Sequence, residues 1–125
     1  MVKNILYCED NPKTASRVSR AIRAAFIMQN PNIILAESLA KAMQSTAQKS
    51  LDLVITDGNL LGRDNGWDLA DELRARGYTG PIIYAGGRKT DIPEGRERVF
   101  NDLLQKPFYE QKDVDPLIEA VRKYI

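Results

Sequence analysis

The sequence contains no histidine and a single cysteine, Cys8. Without histidine there is no Ser-His-Asp triad, no imidazole metal ligand and no phosphohistidine carrier role. One cysteine leaves neither an internal disulfide nor a cysteine-rich zinc site, and agrees with a reducing compartment such as the cytoplasm. No apolar run approaches the roughly 20 residues that a membrane-spanning helix needs. Met1-Val2-Lys3-Asn4 leads into a strand-like run, not a leader peptide. A surplus of one charge is missing too: 18 basic against 17 acidic residues give a net +1. Neither nucleic acid nor an anionic membrane is therefore an expected direct partner. Repeats, low-complexity tracts and internal linkers are absent.

What is there suits one folded domain over residues 1–125. With 43% hydrophobic and 28% charged residues the balance is ordinary, and the length allows a core without disulfide or metal. Short apolar runs alternate with helical patterns. Strands are expected at 4–8 (NILYC), 32–37 (NIILAE), 51–57 (LDLVITD), 80–87 (GPIIYAGG) and 102–107 (DLLQKP). Between the first two, Ala15, Val18, Ile22, Ala25 and Phe26 recur at helical spacing behind an Asn11 cap and Pro12. Ser38 caps a second helix bearing Leu39, Ala42 and Met43. A third carries Trp67, Ala70 and Leu73 and stops at Gly77. Residues 88–99 hold two further breakers, Pro93 and Gly95, and many charges, allowing at most a short helix. Leu117, Ile118 and Val121 mark a terminal helix. A β-α unit repeated five times implies a doubly wound, five-stranded parallel sheet with helices on both faces.

In such a sheet chemistry collects beyond the carboxyl ends of the strands. Those ends supply Glu9 and Asp10, Asp57, Gly86 and Gly87, and Lys106. Crowded carboxylates repel unless a cation balances them. An all-oxygen donor set favours Mg²⁺ or a similar hard ion. A carboxylate can act as a nucleophile toward phosphorus, and a lysine can pair first with a carboxylate and then with a phosphoryl oxygen.

Three stretches carry a family likeness. ILYCEDNP resembles the opening acidic pair of response-regulator receiver domains, LDLVITDGNL their phosphoacceptor strand, and DLLQKPF their Lys-Pro signature. The likeness extends over essentially the whole chain in order and spacing. It implies a flavodoxin-like fold with strand order 2-1-3-4-5 and phosphorylation of Asp57. It also implies Mg²⁺ held by Glu9, Asp10, Asp57 and the backbone carbonyl of Asn59, with Lys106 on the phosphoryl group. The implied partners are a sensor histidine kinase or phosphotransfer protein and an unidentified output partner. Pairing of two copies through the fourth or terminal helix stays open.

The sequence also departs from that pattern. Gly86 stands where the family usually has Ser or Thr, and Leu103 where Tyr or Phe is usual; Leu61 replaces a common proline. No hydroxyl at position 86 meets the phosphoryl group, although Gly86 and Gly87 offer backbone N–H groups. The response is therefore expected to differ in the 86–100 region.

Plainer readings stand beside these. Asp57 before Gly58 suits a turn, Glu9 and Asp10 suit a helix N-terminus, and Lys106 suits a solvated surface charge. Cys8 reads as a small core residue and Trp67 as packing. Arg88, Lys89, Arg96 and Arg98, balanced by Asp91, Glu94 and Glu97, read as a solvated face. The principal functional alternative is a receiver-shaped interaction module that works without phosphorylation. A phosphatase with an aspartyl nucleophile would want a second Asp at Asn59, and a flavin site a hydroxyl- and glycine-rich first loop; neither is present.

Overall fold

The computed structural model describes residues 3–108 and 110–125, with Lys89 and Gln111 described by backbone only. Met1 and Val2, and the Lys89 side chain of the charged run, lie outside the described residues. The strands are β1 (Asn4–Cys8), β2 (Asn32–Ala36), β3 (Leu53–Thr56), β4 (Ile82–Gly86) and β5 (Asp102–Gln105). All pair in parallel, in the order β2-β1-β3-β4-β5. The helices are α1 (Pro12–Ala25), α2 (Leu39–Thr46), α3 (Gly66–Ala75) and α4 (Gln111–Arg122). The expected doubly wound, flavodoxin-like sheet is thus present.

The five-fold β-α alternation fails in one place. The connection from β4 to β5 holds only two 3-10 turns, Lys89–Asp91 and Arg96–Val99. Pro93 lacks the N–H a longer helix would use, and Gly95 adopts φ +86°, outside the helical region. β1 matches its expected bounds, whereas β2 to β5 are shorter than their runs suggested. At the ends the backbone still bonds to its neighbours, as in Asp52 N–H to the Asn4 carbonyl at 2.9 Å and Asp57 N–H to that of Cys8 at 2.8 Å. Ladder bonding therefore carries the edge residues into register beyond the regular strands.

Helix starts follow their caps. The Asn11 side chain accepts from the Lys13 and Thr14 N–H groups at 2.9 and 3.3 Å, and the Ser38 hydroxyl from Lys41 N–H at 3.1 Å. Side chains alternate across each strand, which divides the core in two. Ile5, Tyr7, Leu53, Ile55, Ile83 and Ala85 face α1 and α4. Leu6, Cys8, Val54, Ile82 and Tyr84 join residues of α2 and α3 on the other side. Cys8 is a buried free thiol and Trp67 packs against this second layer, as expected. Arg96 differs. It does not idle on a solvated face but pairs with Asp68 and Asp71 of α3, tying the second 3-10 turn to that helix.

Leu117 is fully buried where α4 meets the sheet. Leu117→Ala is expected to lower stability by about 2–5 kcal/mol, the usual range for an emptied core leucine, read from the urea midpoint at unchanged slope.

Candidate functional site

The same alternation that sorts the core sets the charges. Glu9 continues the parity of Ile5 and Tyr7, Asp57 that of Leu53 and Ile55, and Lys106 that of Leu104. All three therefore emerge on the α1/α4 side of the sheet. The β1–β3 register pairs Cys8 with Thr56, so Glu9 and Asp57 follow one step beyond on adjacent strands. Lys106 reaches them from β5. Its Nζ lies 2.7 Å from Glu9 Oε1 and 3.0 Å from Asp57 Oδ2. Both carboxylate residues are only 4% exposed. The plainer reading of Lys106 as a solvated surface charge therefore fails, because that ammonium is their counter-ion.

Asp57 is fixed from several sides. Its Oδ1 accepts from the Gly58 N–H at 2.6 Å. Gly66, at the start of α3, donates its N–H to the Gly58 carbonyl at 2.9 Å. A Cβ on Gly66 would lie 2.2 Å from the Asp57 carbonyl oxygen, so this approach requires glycine. Glu9 is held through Oε2 by the Asn11 N–H at 3.2 Å, and its Oε1 also faces the Tyr7 hydroxyl at 3.5 Å. Burial pushes the Glu9 carboxyl up to about 8; Lys106 pulls against this and the Asp57 charge adds to it. Burial lowers the Lys106 ammonium, but bonds to Glu9 and the charges of Glu9 and Asp57 outweigh it, so the net shift is upward.

Asp10 is half-buried beside them. One carboxylate oxygen from each of Glu9, Asp10 and Asp57 falls within 4.8 Å of the others. These are hard oxygen donors near one point, a set that fits Mg²⁺. Asn59, two residues past Asp57, is exposed and bridges to Asn65. Gly86 is buried at the end of β4, its carbonyl accepting from Lys106 N–H at 2.7 Å, whereas Gly87 is exposed.

Two residues near Asp57 escaped the sequence reading. In the sequence Gly66 is simply one of the glycines between the third strand and the third helix. Tyr84 was read as one member of an apolar strand, yet its hydroxyl lies against both Gly58 and Gly86. The available signal was parity, since Tyr84 and Gly86 share a strand face.

A parallel 2-1-3-4-5 sheet with acidic groups at its carboxyl edge defines a doubly wound, flavodoxin-like α/β fold. The family profile of the response regulator receiver domain matches residues 5–121, and the chain belongs to that family. The sensory transduction protein LytR of Streptococcus agalactiae is 26% identical over 119 residues, covering 95% of this chain and 48% of LytR. LytR of Streptococcus mutans is 26% identical over 120 residues, covering 96% and 48%. The chain thus spans about half the length of the curated relatives it matches. Among solved structures, the chemotaxis response regulator CheY4 of Vibrio cholerae superposes with a TM-score of 0.79 at 16% identity, covering 100% of both chains. The response regulator TrrA of Thermotoga maritima, solved with Mg²⁺-BeF, gives 0.76 at 22% identity over 99% of this chain and 100% of TrrA.

Removing the ammonium while keeping the stem leaves two buried carboxylates facing each other. Lys106→Met is expected to lower stability by about 3 kcal/mol near neutral pH. Without the cation the Glu9 carboxyl, already raised by burial, rises further above its unfolded value. The stability its proton lends is then present in acid and lost as pH rises. The difference from wild type should therefore shrink from pH 8 toward pH 5, measured by urea denaturation in chelator-treated buffer.

Proposed function

We propose that Asp57 accepts a phosphoryl group from the phosphohistidine of a sensor histidine kinase or phosphotransfer protein, or from a small acyl phosphate, with Mg²⁺ as cofactor. The observation carrying this reading is the Asp57 carboxylate, fixed by the Gly58 N–H and Lys106, beside Glu9 and Asp10. A metal binds carboxylates in their deprotonated form, and a divalent cation together with the Lys106 ammonium would balance the three carboxylate charges.

In the transfer, an Asp57 carboxylate oxygen bonds to phosphorus as the P–N bond to the donor imidazole breaks. The electron pair of that bond leaves on the imidazole nitrogen, which takes up a proton. Lys106, 3.0 Å from Asp57 Oδ2, supplies positive charge next to the oxygens of the transferring group. When bound, Mg²⁺ supplies charge neutralisation at phosphorus; Glu9, Asp10, Asp57 and the Asn59 carbonyl are the groups assigned to hold it. Hydrolysis reverses the modification: water attacks phosphorus, the Asp57–phosphorus bond breaks, and carboxylate and inorganic phosphate result. The chain acts on its own side chain, with its output made by altered contacts to a partner protein in the cytoplasm. A single domain spanning the chain, Gly87 N–H toward the phosphoryl oxygens and Gly86 lining the same edge complete the assignment.

Incubation with acetyl phosphate and Mg²⁺ is expected to add one phosphoryl group by intact-mass spectrometry. Asp57→Asn or removal of Mg²⁺ by chelation should abolish the adduct. An unmodified wild-type mass, together with no beryllofluoride binding, would leave a phosphorylation-independent interaction module in its place.

A further inference from the structure

Tyr84 stands in an unusual place for a strand tyrosine. The residue is 1% exposed, yet its hydroxyl ends at the carboxyl edge of the sheet. A Cβ on Gly58 would lie 2.5 Å from that hydroxyl, and a Cβ on Gly86 would lie 2.5 Å from both the hydroxyl and the ring carbon bearing it. The phenol therefore occupies the room that two missing side chains leave. One of the two glycines, Gly58, donates its N–H to Asp57 Oδ1. Gly86 cannot carry a side chain at all here, because its Cβ would also approach the Gly58 nitrogen to 2.8 Å.

The hydroxyl is poorly committed where it is. Its bond to the Arg88 carbonyl is 3.4 Å long, at the weak end of such contacts. Burial, then the charges of Asp57 and Asp91, push the phenol up to about 12, so it stays protonated and able to donate. Its ring meets Phe100, with centroids 5.2 Å apart, and lies across the β4–β5 ladder from Leu103. One side chain thus touches the edge of the acceptor site, the first residue after Gly87 and the end of the second 3-10 turn.

We propose that the Tyr84 hydroxyl is the group that senses the phosphoryl group on Asp57 and passes its presence to residues 88–100. The inference rests on the phosphoacceptor reading of Asp57. A phosphoryl oxygen beside Gly58 is a far stronger acceptor than a carbonyl 3.4 Å away. The hydroxyl turns to it, the Arg88 contact is lost, and the ring shifts against Phe100. In this scheme the hydroxyl comes from within β4, two residues before Gly86, and the aromatic ring comes with it. Tyr84 is a positioning and read-out residue; the chemistry stays with Asp57 and Lys106.

The test titrates beryllofluoride with Mg²⁺ into wild type and Tyr84→Phe, following amide shifts by NMR. Intact mass after acetyl phosphate runs in parallel. The variant keeps the ring, and an unchanged urea midpoint controls for folding. The expected result is that both proteins form the adduct, while Tyr84→Phe binds beryllofluoride about tenfold or more weakly, as loss of a charge-assisted hydrogen bond implies. Shifts at Arg88–Phe100 should fall several-fold in the variant. In ring-labelled wild type the Tyr84 signal should move on saturation, a readout that needs no variant. Equal affinity and equal shifts in the two proteins, or a Tyr84 signal that stays put, would overturn the proposal while leaving the receiver reading intact. A wild type that takes neither adduct overturns both.

Discussion

The Lys106 ammonium between Glu9 and Asp57 is the contact on which the carboxyl edge of the sheet depends. Two carboxylates, each almost excluded from solvent, sit on neighbouring strands one step past the last paired residues. Left to themselves they would resist folding, since burial and mutual repulsion both disfavour their charged forms. The lysine from β5 resolves this by reaching over β4 to both. A cation in that position ties the ends of three strands together, and it presents positive charge where a phosphoryl group would bring more negative charge.

Strand parity explains why this cluster and Tyr84 remain separate devices. Glu9, Asp57 and Lys106 belong to the α1/α4 side, whereas Tyr84, Leu103 and the residues around Phe100 belong to the α2/α3 side. Within the strands the backbone separates the two layers. At the edge that separation ends, because Gly58 and Gly86 place no side chains between the phenol and the Asp57 backbone. The glycines are therefore openings through the sheet edge as well as turn formers. Gly58, whose amide donates to Asp57, leaves empty the Cβ position that would lie 2.5 Å from the tyrosine hydroxyl.

How much of this was legible beforehand depended on the range of the interaction. Glu9, Asp10, Asp57 and Lys106 could be read because each interrupts an apolar run, and a doubly wound order brings such interruptions to one edge. Alternation and handedness point to a doubly wound parallel sheet, and the resemblance to receiver domains implies its strand order. Tyr84 could not be read in the same way: a tyrosine inside IIYAG looks like ordinary strand filling until the depth of its neighbours is known. Position 86 looked like a lost hydroxyl, while the close approach of the Gly58 nitrogen and the Tyr84 ring shows that no side chain fits there. Arg96 departs from its expected solvated face for a related reason. Acidic residues beside it in sequence suggested local compensation, but its partners Asp68 and Asp71 come from α3. The apolar run 51–57 predicts a strand over its whole length because apolarity marks burial, whereas regular pairing covers only Leu53–Thr56.

The connection between β4 and β5 ties these threads together. A full α-helix there would hold itself by its own ladder of hydrogen bonds and move as one body. Two 3-10 turns of three and four residues have little such support. Their position rests on a few tertiary ties. Arg96 binds to α3, and the Arg74 guanidinium donates to the Tyr78 and Gly80 carbonyls at 3.0 and 2.6 Å and approaches that of Val99 at 3.5 Å. Asp91 Oδ2 accepts from the Arg88 N–H at 3.1 Å, and Phe100 leans on Tyr84. Ile92 and Val99 add apolar packing against the α2/α3 layer. Arg74 and Arg96 anchor the far end of the segment to α3, Ile92 is buried in the α2/α3 layer between the two turns, and Arg88 at the near end is exposed. There the Tyr84 hydroxyl makes its long bond to the Arg88 carbonyl, beside the Gly58 that follows Asp57.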